Sequence, residues 1–297
     1  MPSIENRDES AVGAFLKRAG AAFSMSRLAR PLFAFIRERQ SVMTTRVEIR
    51  HAKLPPELEG LSIAHLSDIH YGFFFEAKHL EKLVNDVNEL RPDVVALTGD
   101  LFDGEVLPHA ETCEKLLARL TAPLGKFAVL GNHDYRSDPE RVAELYSRCG
   151  FALLRNQSAR LNVRGRTMQI AGVDDMLEGS PDLPTTFAGI DAALFTIFLA
   201  HEPEFADWTD GFPADLQLSG HSHGGQVRLP LIGDVYTPPG GKKYVQGLHR
   251  LSGGRERYVY TSRGIGTTHL PVRFLCAPEL AVITLRADIQ KGDTAPR

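Results

Sequence analysis

The chain reads as an α/β protein built on parallel strands, and three observations predict it. Short apolar runs of strand length alternate with segments of helical periodicity across residues 61–148. Three of those runs empty directly into blocks of polar residues: Asp68-Ile69-His70, Gly99-Asp100-Leu101-Phe102-Asp103 and Gly131-Asn132-His133-Asp134. In parallel sheets, functional groups collect in the crevice outside the carboxyl ends of the strands. At 297 residues the chain can bury a substantial core, and one large α/β domain is the expectation.

Taken in order, the elements support that class. Residues 61–67 form a buried strand ending in Asp68-Ile69-His70, and residues 80–90 carry helical spacing. The run 94–98 is a continuous apolar strand, 111–120 a helix, 127–130 a strand and 139–148 a helix. Beyond Phe151 the pieces shorten into strands at 159–163, 168–173, 195–200 and 216–219, the third ending at His201. Residues 168–173 run into Asp174-Asp175, either a substrate-facing loop or a capped turn. Residues 229–244, rich in Pro and Gly, read as a long loop, and 258–262 and 280–285 close the domain as strands.

Ahead of the domain, residues 1–45 form a separate N-terminal segment, with 46–60 a transition into the main domain of residues 46–297. Val12, Phe15, Leu16, Ala19 and Phe23 fall at helical spacing, Leu28, Leu32, Phe35 and Ile36 follow after a phase shift, and Pro31 kinks or restarts the helix. Lys17, Arg18, Arg27, Arg30, Arg37 and Arg39 are opposed there only by Glu38. Such a basic amphipathic segment lies naturally in a lipid headgroup plane, and membrane-surface contact is favoured over packing on the chain's own core.

Charge and cysteine usage exclude several classes. With 34 Lys+Arg against 37 Asp+Glu and a net charge of -3, no global field recruits nucleic acid. Cys113, Cys149 and Cys276 offer neither a disulfide framework nor a Cys-x-x-Cys knuckle and read as small buried hydrophobes. No run of ~18 apolar residues is present to span a membrane, and the polar, partly acidic residues 2–9 are not a secretory signal.

The stretch Gly220-His221-Ser222-His223-Gly224-Gly225-Gln226 carries the chemistry. Two imidazoles one residue apart share one ion if the backbone stays extended, or serve two neighbouring ions if the glycines let it turn. Carboxylate and amide oxygens mixed with imidazole nitrogens, without thiolate, suit Mn, Fe, Zn or Mg, with Mn favoured.

Read together, Asp68-x-His70, Gly99-Asp100-x-x-Asp103, Gly131-Asn132-His133-Asp134, His201 and Gly220-His221-x-His223 resemble, in order, the signature of the calcineurin-like metallophosphoesterases. The blocks Ala171-Gly172-Val173-Asp174-Asp175, Leu199-Ala200-His201-Glu202-Pro203, Ser262-Arg263-Gly264-Ile265-Gly266 and Pro271-Val272-Arg273-Phe274 are similar to the bacterial YkuE/YaeI-type subgroup. The resemblance covers residues 47–285 and implies a four-layer α/β/β/α sandwich. It implies two divalent cations: one on Asp68, His70, Asp100 and His223, the other on Asp100, Asn132, His201 and His221, with Asp100 bridging. His133 would be the acid that meets the leaving group, held by Asp134.

The implied activity is a dinuclear metal-dependent phosphodiesterase or pyrophosphohydrolase using a metal-bridging hydroxide. A concrete version is cleavage of the UDP-2,3-diacylglucosamine pyrophosphate of lipid A synthesis, and the N-terminal segment points to a lipid-linked or membrane-proximal substrate. Arg263 and Arg273 are candidates for a second substrate phosphate through forked donors, with His269 near them as a pocket residue. His51, His65, His79, His109 and His249 read as solvated or structural. A non-catalytic metal-binding scaffold would be expected to lose the acid or a ligand, and both are present. A nuclease would need a basic surface and stacking platforms that are missing. Members of the subgroup often begin with a transmembrane helix or twin-arginine signal; the expectation for this chain is a cytoplasmic protein, peripheral on the inner membrane.

Overall fold

The computed structural model describes residues 42–106 and 108–287. The expectation of basic amphipathic helices before residue 42 lies outside the described residues.

Two six-stranded sheets carry the architecture. The first runs β1 (Met43–His51), β14 (Glu279–Ala287), β2 (Ser62–Leu66), β3 (Val94–Thr98), β4 (Lys126–Val129), β5 (Phe151–Leu153), parallel throughout except where β14 meets β2. The second runs β12 (Gly247–Arg250), β13 (Tyr258–Thr261), β9 (Leu216–Ser219), β8 (Thr196–Leu199), β7 (Arg166–Gly172), β6 (Gln157–Val163), with a parallel centre and antiparallel rims.

Strand alternation explains why the sheets stack. Along β2 and β3, Ala64, Leu66, Val95 and Leu97 face outward onto helices, while Ile63, Val94 and Ala96 face the other sheet. Buried on both faces, these strands are continuous apolar runs. The outward layer is α1 (Ala77–Leu90), α2 (Ala110–Leu117) and α4 (Pro139–Arg148), separated in chain order by the short α3 (Asn132–Ser137). Helix α1 buries Leu80, Leu83, Val84 and Val87, spaced at one helical face. Helix α4 starts at Pro139, and its Asp138 cap accepts from Arg141 N–H at 3.2 Å. Across the second sheet, Ala171 and Phe198 pack on Leu183 of α5 (Leu183–Thr186) and Phe205 of α6 (Phe205–Trp208). The result is the expected α/β/β/α sandwich. Truncating a central residue such as Leu97, fully buried, would cost about 2–5 kcal/mol.

Two segments differ from expectation. The nine residues of β1 form an edge strand that begins at Met43, inside the segment assigned to 1–45, and pairs with β14 from the far end of the chain. Within the expected 229–244 loop, β10 (Arg228–Leu229) and β11 (Gly233–Asp234) form a short hairpin.

Candidate metal centre

Five strands deliver polar residues to one place. The carboxyl ends of β2, β3 and β4 lead to Asp68 and His70, to Asp100, and to Asn132, while β8 and β9 of the second sheet lead to His201 and to His221 and His223. The backbone is forced there: Asp68, His70, Asp100, His221 and His223 have φ of 52°, 47°, 55°, 65° and 51°. Left-handed conformations cost a non-glycine residue roughly 1–3 kcal/mol and persist only where the surroundings over-determine them. They do here. Asp68 N–H donates to Gly99 O (3.1 Å) and His70 N–H to Asp100 O (3.0 Å), while the Asp68 carboxylate accepts from His221 N–H at 3.0 Å. A side chain at Gly131 would strike the Asp100 carboxylate, and one at Gly220 would strike Ser67 and Asp68.

The side chains fall into two groups on either side of Asp100. On one side, His223 Nε2 lies 3.0 Å from His70 Nε2 and 3.4 Å from Asp68 Oδ1, and His70 Nε2 lies 3.7 Å from Asp100 Oδ2. On the other, His201 Nε2 lies 3.1 Å from Asp100 Oδ2 and 3.2 Å from His221 Nδ1. All six are buried. Burial pushes His70 down to about 4, helped by His133, and His221 down to about 3, helped by His201. Both imidazoles are therefore neutral donors. Burial, with Asp100 adding to it and His201 opposing it, lifts Asp68 to about 6. Burial opposes charge on His201 too, but the Asp100 carboxylate overrides it and holds a proton on that ring.

The donor set fits two divalent cations. Asn132 Oδ1 is buried without a hydrogen-bond partner among the described residues, an expensive state for an amide oxygen that a cation would relieve. Asp68, His70 and His223 place their donor atoms within 4.8 Å of one another, and so do Asp100, His201 and His221. Imidazole nitrogens facing each other at 3.0 and 3.2 Å are the arrangement of ligands around a shared centre. Two of the remaining ring nitrogens are held: His201 Nδ1–H donates to Thr98 O (2.6 Å) and His221 Nε2–H to Pro239 O (2.8 Å).

Beyond the ligands, three of the expected site residues have partners other than those expected. Asp134 does not hold His133: its carboxylate accepts from the backbone N–H groups of Asp100, Leu101, Phe102 and Gly131 at 2.9–3.3 Å and so shapes the Asp100 loop. The partner of His133 is Asp103, whose Oδ1 lies 3.0 Å from Nδ1. Burial opposes charge on His133, but Asp100 and Asp103 prevail and raise it. Arg263 and Arg273 both have partners within the chain. Arg263 is paired with Glu279 at 3.0 Å and Thr45 at 3.2 Å. Arg273 is 2% exposed and donates to the carbonyls of Gly266, His223 and Cys276. His269 does lie near the site, its ring 6.4 Å from that of His133. Asp174-Asp175 resolves as a capped turn, Asp175 accepting from Leu177 and Glu178 N–H and Asp174 from Ser180 N–H.

Comparison with known proteins places this geometry. The sequence matches the family model of the calcineurin-like phosphoesterases over residues 61–225, the span that carries all seven candidate ligands up to His223. The chain belongs to that family. A calcineurin-like phosphoesterase hydrolyses phosphoric esters, and the family implies divalent metal ions. Similar chains include the metallophosphoesterase YkuE of Bacillus subtilis (strain 168), 37% identical over 84% of this chain and 87% of that one. Phosphodiesterase YaeI of Escherichia coli (strain K12) is 30% identical over 75% and 81%. UDP-2,3-diacylglucosamine pyrophosphatase LpxG of Chlamydia muridarum (strain MoPn / Nigg) is 27% identical over 80% and 88%.

Three residues of this phosphoesterase site escaped the sequence reading. Asp103 stood inside a quoted block, but its spacing from His133 did not reveal the contact. The carbonyls of Thr98 and Pro239, which orient His201 and His221, carry no side-chain signal at all.

Proposed function

We propose that this calcineurin-like phosphoesterase is a two-cation phosphodiesterase or pyrophosphohydrolase acting on a lipid-linked or membrane-proximal phosphoester. The observation that carries the reading is the Asp100 carboxylate, standing between Asp68/His70/His223 on one side and His201/His221 on the other. Asp68, His70, Asp100 and His223 would hold one cation and Asp100, Asn132, His201 and His221 the second, with Mn favoured. Bound there, the pair supplies Lewis acidity toward the phosphoryl oxygens and a water made acidic enough to attack near neutral pH.

The chain's own residues do the rest. With a cation in place of the proton that Asp100 holds on His201, the histidines and Asn132 would be neutral ligands and leave net positive charge at the site, so an anionic ester is drawn in rather than repelled. Asp134 fixes the Asp100 loop through four backbone amides and thereby the carboxylate that both cations would share. His133 is the acid for the leaving group: Nδ1–H donates to Asp103, which fixes the ring and sustains its charge, and its side chain keeps 14% exposure where the ligands are sealed. A diester rather than a monoester is favoured by the engagement of Arg263 and Arg273 elsewhere, which leaves neither guanidinium for a dianionic group.

The lipid-linked part is supported by the likeness to LpxG and by the basic amphipathic composition of residues 12–39. Cleavage of a UDP-diacylglucosamine-type pyrophosphate is the specific version of it. Among the described residues no helix is long and apolar enough to cross a membrane, and peripheral contact is the proposed mode. The test is hydrolysis of bis-p-nitrophenyl phosphate against p-nitrophenyl phosphate with Mn²⁺, followed by lipid-linked pyrophosphates as competitors. Faster diester cleavage, competed by the lipid, supports the reading; a metal-loaded protein inert on both esters overturns it.

A further inference from the structure

Single exposed apolar side chains are ordinary on a protein surface. Here six of the most exposed, Leu229, Leu231, Ile232, Val235, Phe274 and Leu275, gather in two segments. These segments are joined: Arg228 N–H donates to Phe274 O at 2.9 Å and Phe274 N–H to Gln226 O at 3.0 Å. They form one ledge that begins five residues after His223 and is tied to the loop carrying that residue, Arg228 Nη1 donating to Gly224 O at 2.9 Å.

The tip of the ledge is unusual in its own right. Ile232 N–H closes a turn on Leu229 O (3.3 Å), with Pro230 second and Leu231 third at φ 68°. That third position of such a turn ordinarily goes to Gly or Asn, which adopt a positive φ cheaply. Leu231 is strained and also fully exposed, at 108%, with Ile232 at 74% and Leu275 at 64%. Neither the turn nor the core accounts for leucine there, whereas an apolar contact would.

We propose that this ledge, β10–β11 with residues 274–275, inserts into the headgroup boundary of a lipid bilayer and seats the metal centre against the membrane. What selects a bilayer is where the rest of the chain enters. Strand β1 starts beside the ledge, with Met43 N–H on Pro278 O at 2.8 Å and the Met43 side chain 52% exposed. The sequence leading into it carries Lys17, Arg18, Arg27, Arg30, Arg37 and Arg39 among aromatic residues, a composition that matches anionic headgroups. A second copy of the chain would ask for a flat, matched surface of about 800 Å² per partner, which a narrow protruding turn does not offer. The purpose of the ledge rests on the lipid-linked reading above; its geometry does not.

The three native cysteines are buried, so Leu231→Cys in the full chain gives one reactive position for a nitrobenzoxadiazole probe. On adding vesicles of phosphatidylethanolamine and phosphatidylglycerol, the emission at position 231 should move to the blue and brighten. A probe at Glu89→Cys, exposed on α1, should not respond. The Leu231→Asn/Ile232→Asn variant should co-sediment with those vesicles about tenfold less well, with its melting temperature unchanged or higher because Asn suits the left-handed turn. An unmoved probe on protein that does sediment overturns the proposal. So does a probe already blue without vesicles, whether dilution removes that shift, as for a second copy, or leaves it, as for cover by the chain's own segment. Soluble-diester turnover separates the two readings: wild type inert on the diester with a shifting probe sinks the phosphoesterase reading alone, and active wild type with an unmoved probe sinks the ledge alone.

Discussion

Either side of Asp100, two groups of similar chemistry are backed in opposite ways. His201 and His221 donate their outer ring N–H groups to carbonyl oxygens, Thr98 O at 2.6 Å and Pro239 O at 2.8 Å. Acceptors there fix the tautomer and make the inner nitrogen a better electron donor. His223 instead has a guanidinium against its outer nitrogen, Arg273 Nη2 lying 3.2 Å from Nδ1. A cation in that place draws electron density out of the ring. The comparison teaches that similar ligands need not give equivalent sites, and it predicts firmer cation binding on the His201/His221 side than on the His223 side.

Asp100→Asn is the largest blow to this arrangement, because it removes the one carboxylate that both groups share. The expected outcome is loss of at least one cation by elemental analysis and a fall in diester turnover of about 10³-fold or more. Two cations retained at full affinity would show that the groups do not meet at Asp100.

His133→Ala separates acid catalysis from metal holding. Cation content should stay at two while turnover falls about 10²–10⁴-fold on an unactivated ester. The loss should shrink on p-nitrophenyl esters, whose leaving group departs without a proton. A uniform loss on both esters would place His133 in binding instead. Asp103→Asn should follow the same leaving-group trend with a smaller effect, on the order of tenfold, since it only orients and charges the His133 ring.

How much of this was readable in the linear chain follows from how local each feature is. The seven candidate ligands sit directly after apolar strands, so strand ends and ligand chemistry coincide in the sequence itself. The parallel α/β class was legible because strands buried on both faces are continuous apolar runs, whereas the α/β/β/α layering came only with the family resemblance. Contacts that depend on folding back were not. Asp103 and Asp134 flank the site with equal plausibility, and only the turn of α3 decides that Asp134 takes backbone amides while Asp103 takes the imidazole. Arg263 and Arg273 read as available cations because nothing in a sequence shows a guanidinium folding inward onto Glu279 or onto three carbonyls. Strand β1 does alternate, Val47 and Ile49 inward against Arg46, Glu48 and Arg50, but its partner β14 lies more than two hundred residues away.

The mildest prediction bears on the comparison most directly. Arg273 ties together the carbonyls of Gly266, His223 and Cys276, so truncation would disturb the loop that carries His223. Arg273→Gln keeps donors for those carbonyls and removes the charge. If the guanidinium acts on His223 electronically, calorimetric titration with Mn²⁺ should show the weaker of two binding steps tightening by about tenfold, within the range that partners of metal-bound histidines command, while the stronger step stays put. The melting temperature of the metal-free protein should change little. If Arg273 serves only to position the loop, the same step weakens, the metal-free protein melts earlier, and Arg273→Lys restores neither. The direction of one binding constant therefore distinguishes a site made loose by a cation behind its ligand from two sites that differ only in packing.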